Sequence, residues 1–184
     1  MNKLVIILLI TFWLQPFNTW AEEENEMDRL TFDESHLMFA KRTNSDAWKL
    51  LQKEDLSNEE ESLLLYTVYS SAYHWMFAGT SLNIQRAEWL ISRAYIKLNN
   101  GSAALVHAKK CQELTNKGIS GIKDFDFAYA YEAMARAYAL IGDFKNASIF
   151  YRKANESAKS IANQEDKKLF LSDFNSGNWN GFSE

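Results

Sequence analysis

The chain has 184 residues, 47% of them hydrophobic and 14% aromatic, enough to bury the core of one domain. One proline and seven glycines argue against turn-rich β structure and for helices. A formal charge of −4 argues against general nucleic-acid binding, which needs basic patches, and a single cysteine, Cys111, excludes an intramolecular disulfide and a CxxC metal or redox motif.

Met1-Asn2-Lys3, the apolar run Leu4 to Leu14 and the more polar Gln15 to Ala21 have the three-part layout of a secretory signal peptide, with cleavage expected after Ala21. The run is too short for a membrane span, which takes about 20 apolar residues, and no cysteine near the cleavage site offers a lipid anchor. The expected location is the bacterial periplasm or the outside of the cell. An uncleaved segment would instead make a membrane-anchored assembly factor. Residues 22–32 are acidic and expected to be a disordered linker.

A short helix is expected from Asp33 to Lys41 and a second from Asp46 to Lys53, capped by Asn44 or Ser45. Ser57 followed by Glu60 is a capping box and opens a long helix to about Phe77, with Leu64, Val68, Ala72 and Trp75 at helical spacing. Gly79 ends it, and Thr80 or Ser81 caps the next helix, which runs to about Leu98. Asn99-Asn100-Gly101 is a turn, Ser102 to Asn116 a helix, and Gly118 to Lys123 a loop. Helices follow from Asp124 to about Ile141, from Asp143 to about Ala162, and from Gln164 to Leu171. The tail from Ser176 is rich in Gly and Asn but carries Trp179 and Phe182, which are expected to dock on the body.

Two stretches carry one pattern 43 residues apart. Arg93-Ala94-Tyr95 aligns with Arg136-Ala137-Tyr138, then Ala104 with Ala147, Ala108 with Tyr151 and Cys111 with Ala154. Residues 128–161 form the clearer copy and 85–118 the weaker one, with the helices before Ala78 a third, degenerate hairpin. Tyr131, Ala135, Tyr138, Gly142-Asp143-Phe144, Ala147, Tyr151 and Ala154 resemble the signature of the tetratricopeptide-repeat superfamily. The first copy departs at Ser92, at Asn99-Asn100-Gly101 and at Ala108, and the second at Lys159, where proline is usual. Stretches such as Ala72 to Trp75 are also similar to short bacterial repeat proteins with no assigned activity. The resemblance implies an all-α stack of antiparallel helical hairpins, about seven or eight helices wound into a superhelix.

It further implies that the first helix of each hairpin lines a concave groove. The residues carried there are Arg86, Trp89, Arg93 and Lys97 from one helix and Tyr129, Glu132 and Arg136 from the next. Four cations against one acid suit an acidic peptide or a C-terminal carboxylate, and the two aromatics suit a peptide chain. The competing reading is structural: Glu132 and Arg136 stand i,i+4 and can pair, and Trp89 and Arg93 can make a cation–π contact. The family's carboxylate-clamp pattern is not reproduced. The expectation is an adaptor for a protein or peptide, without cofactor, metal or catalysis, and a homodimer is compatible with so short an array. A ligand or enzymatic pocket around His74, Trp75 and Arg86 is the alternative. His36, His74 and His107 lack metal-site spacing, with His107 expected in solvent and Cys111 buried and unreactive.

Overall fold

The computed structural model describes residues 30–177 and 179–183. The leader expected over residues 1–21 and the acidic residues 22–29 lie outside these. The described residues form seven helices and no strand: α1 (Phe32–Leu51), α2 (Asn58–Ala78), α3 (Ser81–Lys97), α4 (Gly101–Asn116), α5 (Asp124–Leu140), α6 (Phe144–Lys159) and α7 (Gln164–Asn175). They stack as three hairpins, α1–α2, α3–α4 and α5–α6, and α7 packs on the last.

One expectation is corrected at the start. The two short helices over 33–41 and 46–53 are a single helix, α1, capped by Thr31, whose hydroxyl accepts from Glu34 N while Glu34 Oε2 accepts from Thr31 N. Nothing between Lys41 and Asp46 breaks the ladder. Thr43 returns its hydroxyl to the Phe39 carbonyl at 2.7 Å, and Asp46 pairs with Arg42 and Lys49, so the polar residues that resemble caps decorate a continuous helix. The box at Ser57–Glu60 forms as expected, with Ser57 N donating to Glu60 Oε2 at 3.0 Å.

The hairpins close through small residues. Ala40, Ala47, Ala104, Ala108, Ala147 and Ala154 are fully buried, which lets paired helices approach, and Ser71 and Ser92 reinforce this by donating to the Ala40 and Ala104 carbonyls at 3.0 Å. Larger side chains fill the gaps between hairpins. Leu50, Leu64, Val68, Leu90 and Ile91 form one cluster, and Phe170 and Phe174 of α7 close the other end against Ala128, Ala154 and Ile161. Burying each such side chain contributes about 1.5–3 kcal/mol.

The 43-residue pattern holds in three dimensions. Asn99 and Gly142 both turn with positive φ, 56° and 79°. The next residues, Asn100 and Asp143, donate their N–H to the Tyr95 and Tyr138 carbonyls and cap the following helix through Oδ1. The first copy therefore makes the same turn with asparagines. Ring stacks match as well: Tyr95 lies on His107 at 5.8 Å and Tyr138 on Phe150 at 5.6 Å. His107 is thus not solvated, contrary to expectation. It fills the place of a core phenylalanine and is held by Glu88 at 2.6 Å and the Tyr69 hydroxyl at 3.0 Å. Cys111 is buried as expected, and burial pushes its thiol up to about 12.

Gly101 opens α4 directly under the end of α5. A β-carbon there would lie 2.6 Å from Ile141 Cγ2 and 3.2 Å from the Ile141 backbone nitrogen. Gly101→Ala is therefore expected to destabilise the fold by about 1–3 kcal/mol in urea unfolding, although alanine is the better helix former.

Candidate functional site

The first helix of each hairpin faces one wall of the molecule, together with α7. Two recesses lie along it. The first, about 480 Å³, is walled by Trp48 of α1, Gln85, Arg86, Trp89 and Leu90 of α3, Phe125, Asp126 and Tyr129 of α5, and Leu169 and Asp173 of α7. The second, about 730 Å³, is walled by Arg93, Ile96 and Lys97 of α3, Arg136 of α5, Leu51 of α1 with Glu54 just after it, and Ser176, Gly177 and Asn180 of the tail. Both volumes fall in the range of ligand sites.

The seven residues expected to line a groove are brought together. Arg86, Trp89 and Tyr129 line the first recess, and Arg93, Lys97 and Arg136 the second. Glu132 stands between them, fully buried, and ties the two groups: it accepts from Trp89 Nε1 at 3.4 Å, from Arg93 Nη1 at 2.7 Å and from Arg136 Nε. Helical periodicity places these side chains. Arg86, Trp89, Arg93 and Lys97 recur at three- and four-residue steps on α3, as do Tyr129, Glu132 and Arg136 on α5.

The wall is less basic than expected, because most of its cations are engaged. Asp126 holds Arg86 through both carboxylate oxygens, at 2.9 and 3.1 Å. Arg93 and Arg136 share Glu132, and Arg93 also lies 5.8 Å from the Trp89 ring. Arg136 Nη2 donates to the Asp173, Phe174 and Ser176 carbonyls, closing the end of α7, while its guanidinium lies 4.1 Å from the Trp179 ring. Lys97 donates to the Lys53 and Glu54 carbonyls, the latter at 2.7 Å. Among the described residues its acceptors are backbone carbonyls, so its charge faces the second recess without a carboxylate of those residues bonded to it. Tyr129 donates its hydroxyl to Asp173 at 2.7 Å, and burial raises that phenol above its ordinary value.

Sequence reasoning missed Asp126, Gln85, Trp48, Phe125 and Asp173. Asp126 was within reach, one turn before Tyr129 on the same face of α5. Trp48 and Asp173 come from α1 and α7, outside the matched pair of repeats. Gln85 is buried and donates to Thr115 Oγ1 at 2.9 Å and to Cys111 Sγ at 3.2 Å. Its Oε1 is the one buried side-chain polar atom without a partner among the described residues, a deficit of about 1–3 kcal/mol.

His74 does not join Arg86. It lines neither recess and sits near the other end of α2, its Nδ1 2.9 Å from His36 Nδ1 among Phe39, Tyr73 and other rings. One imidazole must donate and the other accept, so the pair holds no second proton there. Burial, then the neighbouring His36, lowers the His74 pKa below its ordinary 6.5. No group of three or more His, Cys, Asp or Glu among the described residues is placed to hold a metal ion. No helix among them is long and apolar enough to cross a membrane. Comparison of the chain with protein-family models, with curated proteins and with solved structures finds no match.

Two pH responses follow. Burial would raise the Glu132 carboxyl, but Arg93 and Arg136 outweigh it and hold it below the ordinary 4.5. Its contribution is full above 4.5 and is lost as pH falls through the lower folded value. Glu132→Gln should cost about 3–5 kcal/mol near neutral pH, and in urea unfolding its gap to wild type should narrow below 4.5. The histidine pair acts higher. Unfolded, His74 takes up a proton near 6.5, and in the fold it resists, so thermal stability should fall as pH drops through 6.5, and fall less in His36→Phe.

Proposed function

We propose that this protein is a binding module for an extended peptide or protein segment, laid along the wall of α1, α3, α5 and α7, with no catalytic step of its own. The observation that carries the reading is the pairing of an aromatic recess with a cationic one on a single continuous surface, joined through Glu132. An apolar side chain of the segment occupies the first recess. An acidic side chain or a C-terminal carboxylate meets Lys97 and the outer edge of Arg93 in the second. Trp89 and Lys97 are eight positions apart on α3, about 12 Å along the helix axis. An extended chain covers that distance in about three to four residues. The wall thus favours an aromatic or apolar residue about that far from an acid.

The internal pairing supports a preformed surface. Arg86, Arg93, Arg136 and Tyr129 are fixed before any segment arrives, so little side-chain ordering is left for association. The tetratricopeptide resemblance and the exported, signal-directed location belong to the same proposal: an adaptor acting outside the cytoplasm.

Selection of peptides from a random display library on the purified protein, followed by fluorescence polarisation of the winners, tests this. Enriched peptides should carry an aromatic residue near an acid or a free carboxyl terminus. Lys97→Ala should weaken them about tenfold or more, as loss of a charged hydrogen bond of about 1.5–3 kcal/mol requires. No enrichment, or affinities indifferent to Lys97→Ala and to peptide amidation, would discard the reading.

A further inference from the structure

The outward side of α2 is aromatic and carries no charge. From Ser62 to Gln85 the chain has no Asp, Glu, Lys or Arg. α2 buries Leu64, Val68 and Ser71 on one side, yet leaves Leu63, Tyr66, Tyr73, Met76 and Phe77 exposed on the other, Tyr66 by 73% and Met76 by 70%. From Ser62 onward α2 is thus apolar or neutral on every side, a pattern that belongs to helices covered all round. The second helices of the other hairpins differ. α4 exposes Lys109, Lys110 and Glu113, and α6 exposes Lys145, Lys153 and Glu156. Phe32 of α1, 75% exposed, extends the patch, since it and Phe77 each lie 4.5 Å from the His36 ring.

Tyrosine, phenylalanine and methionine without charge are the composition of interface cores. Free side chains of this size offer roughly 150–250 Å² each, so the six, half to three-quarters exposed, present on the order of 800 Å², the share one partner contributes to a stable interface and more than the largest patch of an ordinary monomer. Their spacing suits a second helix. Leu63, Tyr66, Ser70, Tyr73 and Phe77 recur at alternating three- and four-residue steps, the seam along which helices pair. Ser70, at its centre, is small enough to let two helix axes approach. What covers this seam is itself neutral. The chain carries −4, so two copies repel over most of their surface and meet most readily where charge is missing. The stripe holds no lysine or arginine to draw an anionic membrane.

We infer that this face is an interface between two copies of the chain, with the two α2 helices packed antiparallel about a twofold axis at Ser70. That axis brings Leu63 of one copy against Phe77 of the other and Tyr66 against Tyr73, so the stripe is its own complement. No residue of α2 lines either recess, so both walls stay open and the dimer presents two of them. A ligand with two suitable segments is then held at both, which raises its overall affinity without any new contact. The interface itself does not depend on what the walls bind.

Sedimentation equilibrium of the purified full chain tests the pairing, and cysteine cross-linking tests its geometry. At about 100 μM the wild type should have twice the mass of one chain, since interfaces of this size hold at micromolar concentrations or below. Tyr66→Glu, at an exposed position, should keep the helical circular dichroism and weaken association about thirtyfold or more, the loss when a central aromatic gives way to an unpaired charge. Ser70→Cys should form a disulfide-linked dimer under mild oxidation, whereas the wild type, whose one thiol at Cys111 is buried, should not. A monomeric wild type overturns the inference, whether the face then binds phosphatidylcholine vesicles or another protein. A dimer indifferent to Tyr66→Glu overturns it as well, and so does a dimer in which Ser70→Cys fails to cross-link. Should Tyr66→Glu not fold, the cross-link decides alone. The peptide selection is scored separately, because its failure leaves the dimer in place and a monomer leaves the groove in place.

Discussion

Burial of a single carboxylate organises the wall of this protein. Glu132 has no contact with water, and a charge in that position is tolerable only if it is paired and hydrogen-bonded on the spot. Two arginines from different helices meet that demand, and each is thereby fixed. Arg93 locks α3 to α5. Arg136 is turned so that its Nη2 reaches three carbonyls at the end of α7, and its face is left for Trp179. One buried acid thus sets the relation of the second hairpin to the third and the position of the C-terminal cap.

The same constraint decides what the surface can offer. A groove of free arginines would attract acids through long-range charge. Here three arginines are held by Asp126 and Glu132, and the open positive charge is concentrated at Lys97 and the exposed edge of Arg93. What remains is a rigid, mostly neutral surface with a ring-lined hollow at one end and a cationic one at the other. Recognition on such a surface depends on shape and on a few directed hydrogen bonds more than on net charge.

Much of the architecture was legible in the chain because helical hairpins are local. Capping signals at Ser57 and Asp143, breaks at Gly79 and Gly142, and alanines at equivalent positions mark elements whose partners are close in sequence. The same local reasoning split α1 in two, since Asn44 and Ser45 look like caps whether or not the helix continues past them. It also put His107 in solvent. Histidine is read as polar when taken alone, and only the stack on Tyr95, equivalent to Phe150 on Tyr138, shows that the position is interior. Arg86, Trp89, Arg93, Lys97, Tyr129 and Arg136 reach one wall because they share faces of two helices that match each other, whereas Glu132, expected beside them, is buried beneath it. Trp48 and Asp173 were not legible, since their role comes from contacts with helices distant in the chain, and Gln85 was not because it faces its hairpin partner α4.

By itself, then, the sequence determined the all-helical class, the hairpin pairing and the common face of Arg86 to Lys97 and Tyr129 to Arg136, all of which follow from a periodicity of 3.6 residues and from short connections. Tertiary structure alone decided which charges are open and which are closed, and which polar atom is left over. Those outcomes depend on what α1, α4 and α7 bring against that face: Thr115 orienting the Gln85 amide, the α7 carbonyls occupying Arg136, and Trp48 walling the hollow across from Tyr129. A spacing rule reports which way a side chain points along its own helix. It does not report what stands opposite, and the energy of a buried polar group is set by what stands opposite.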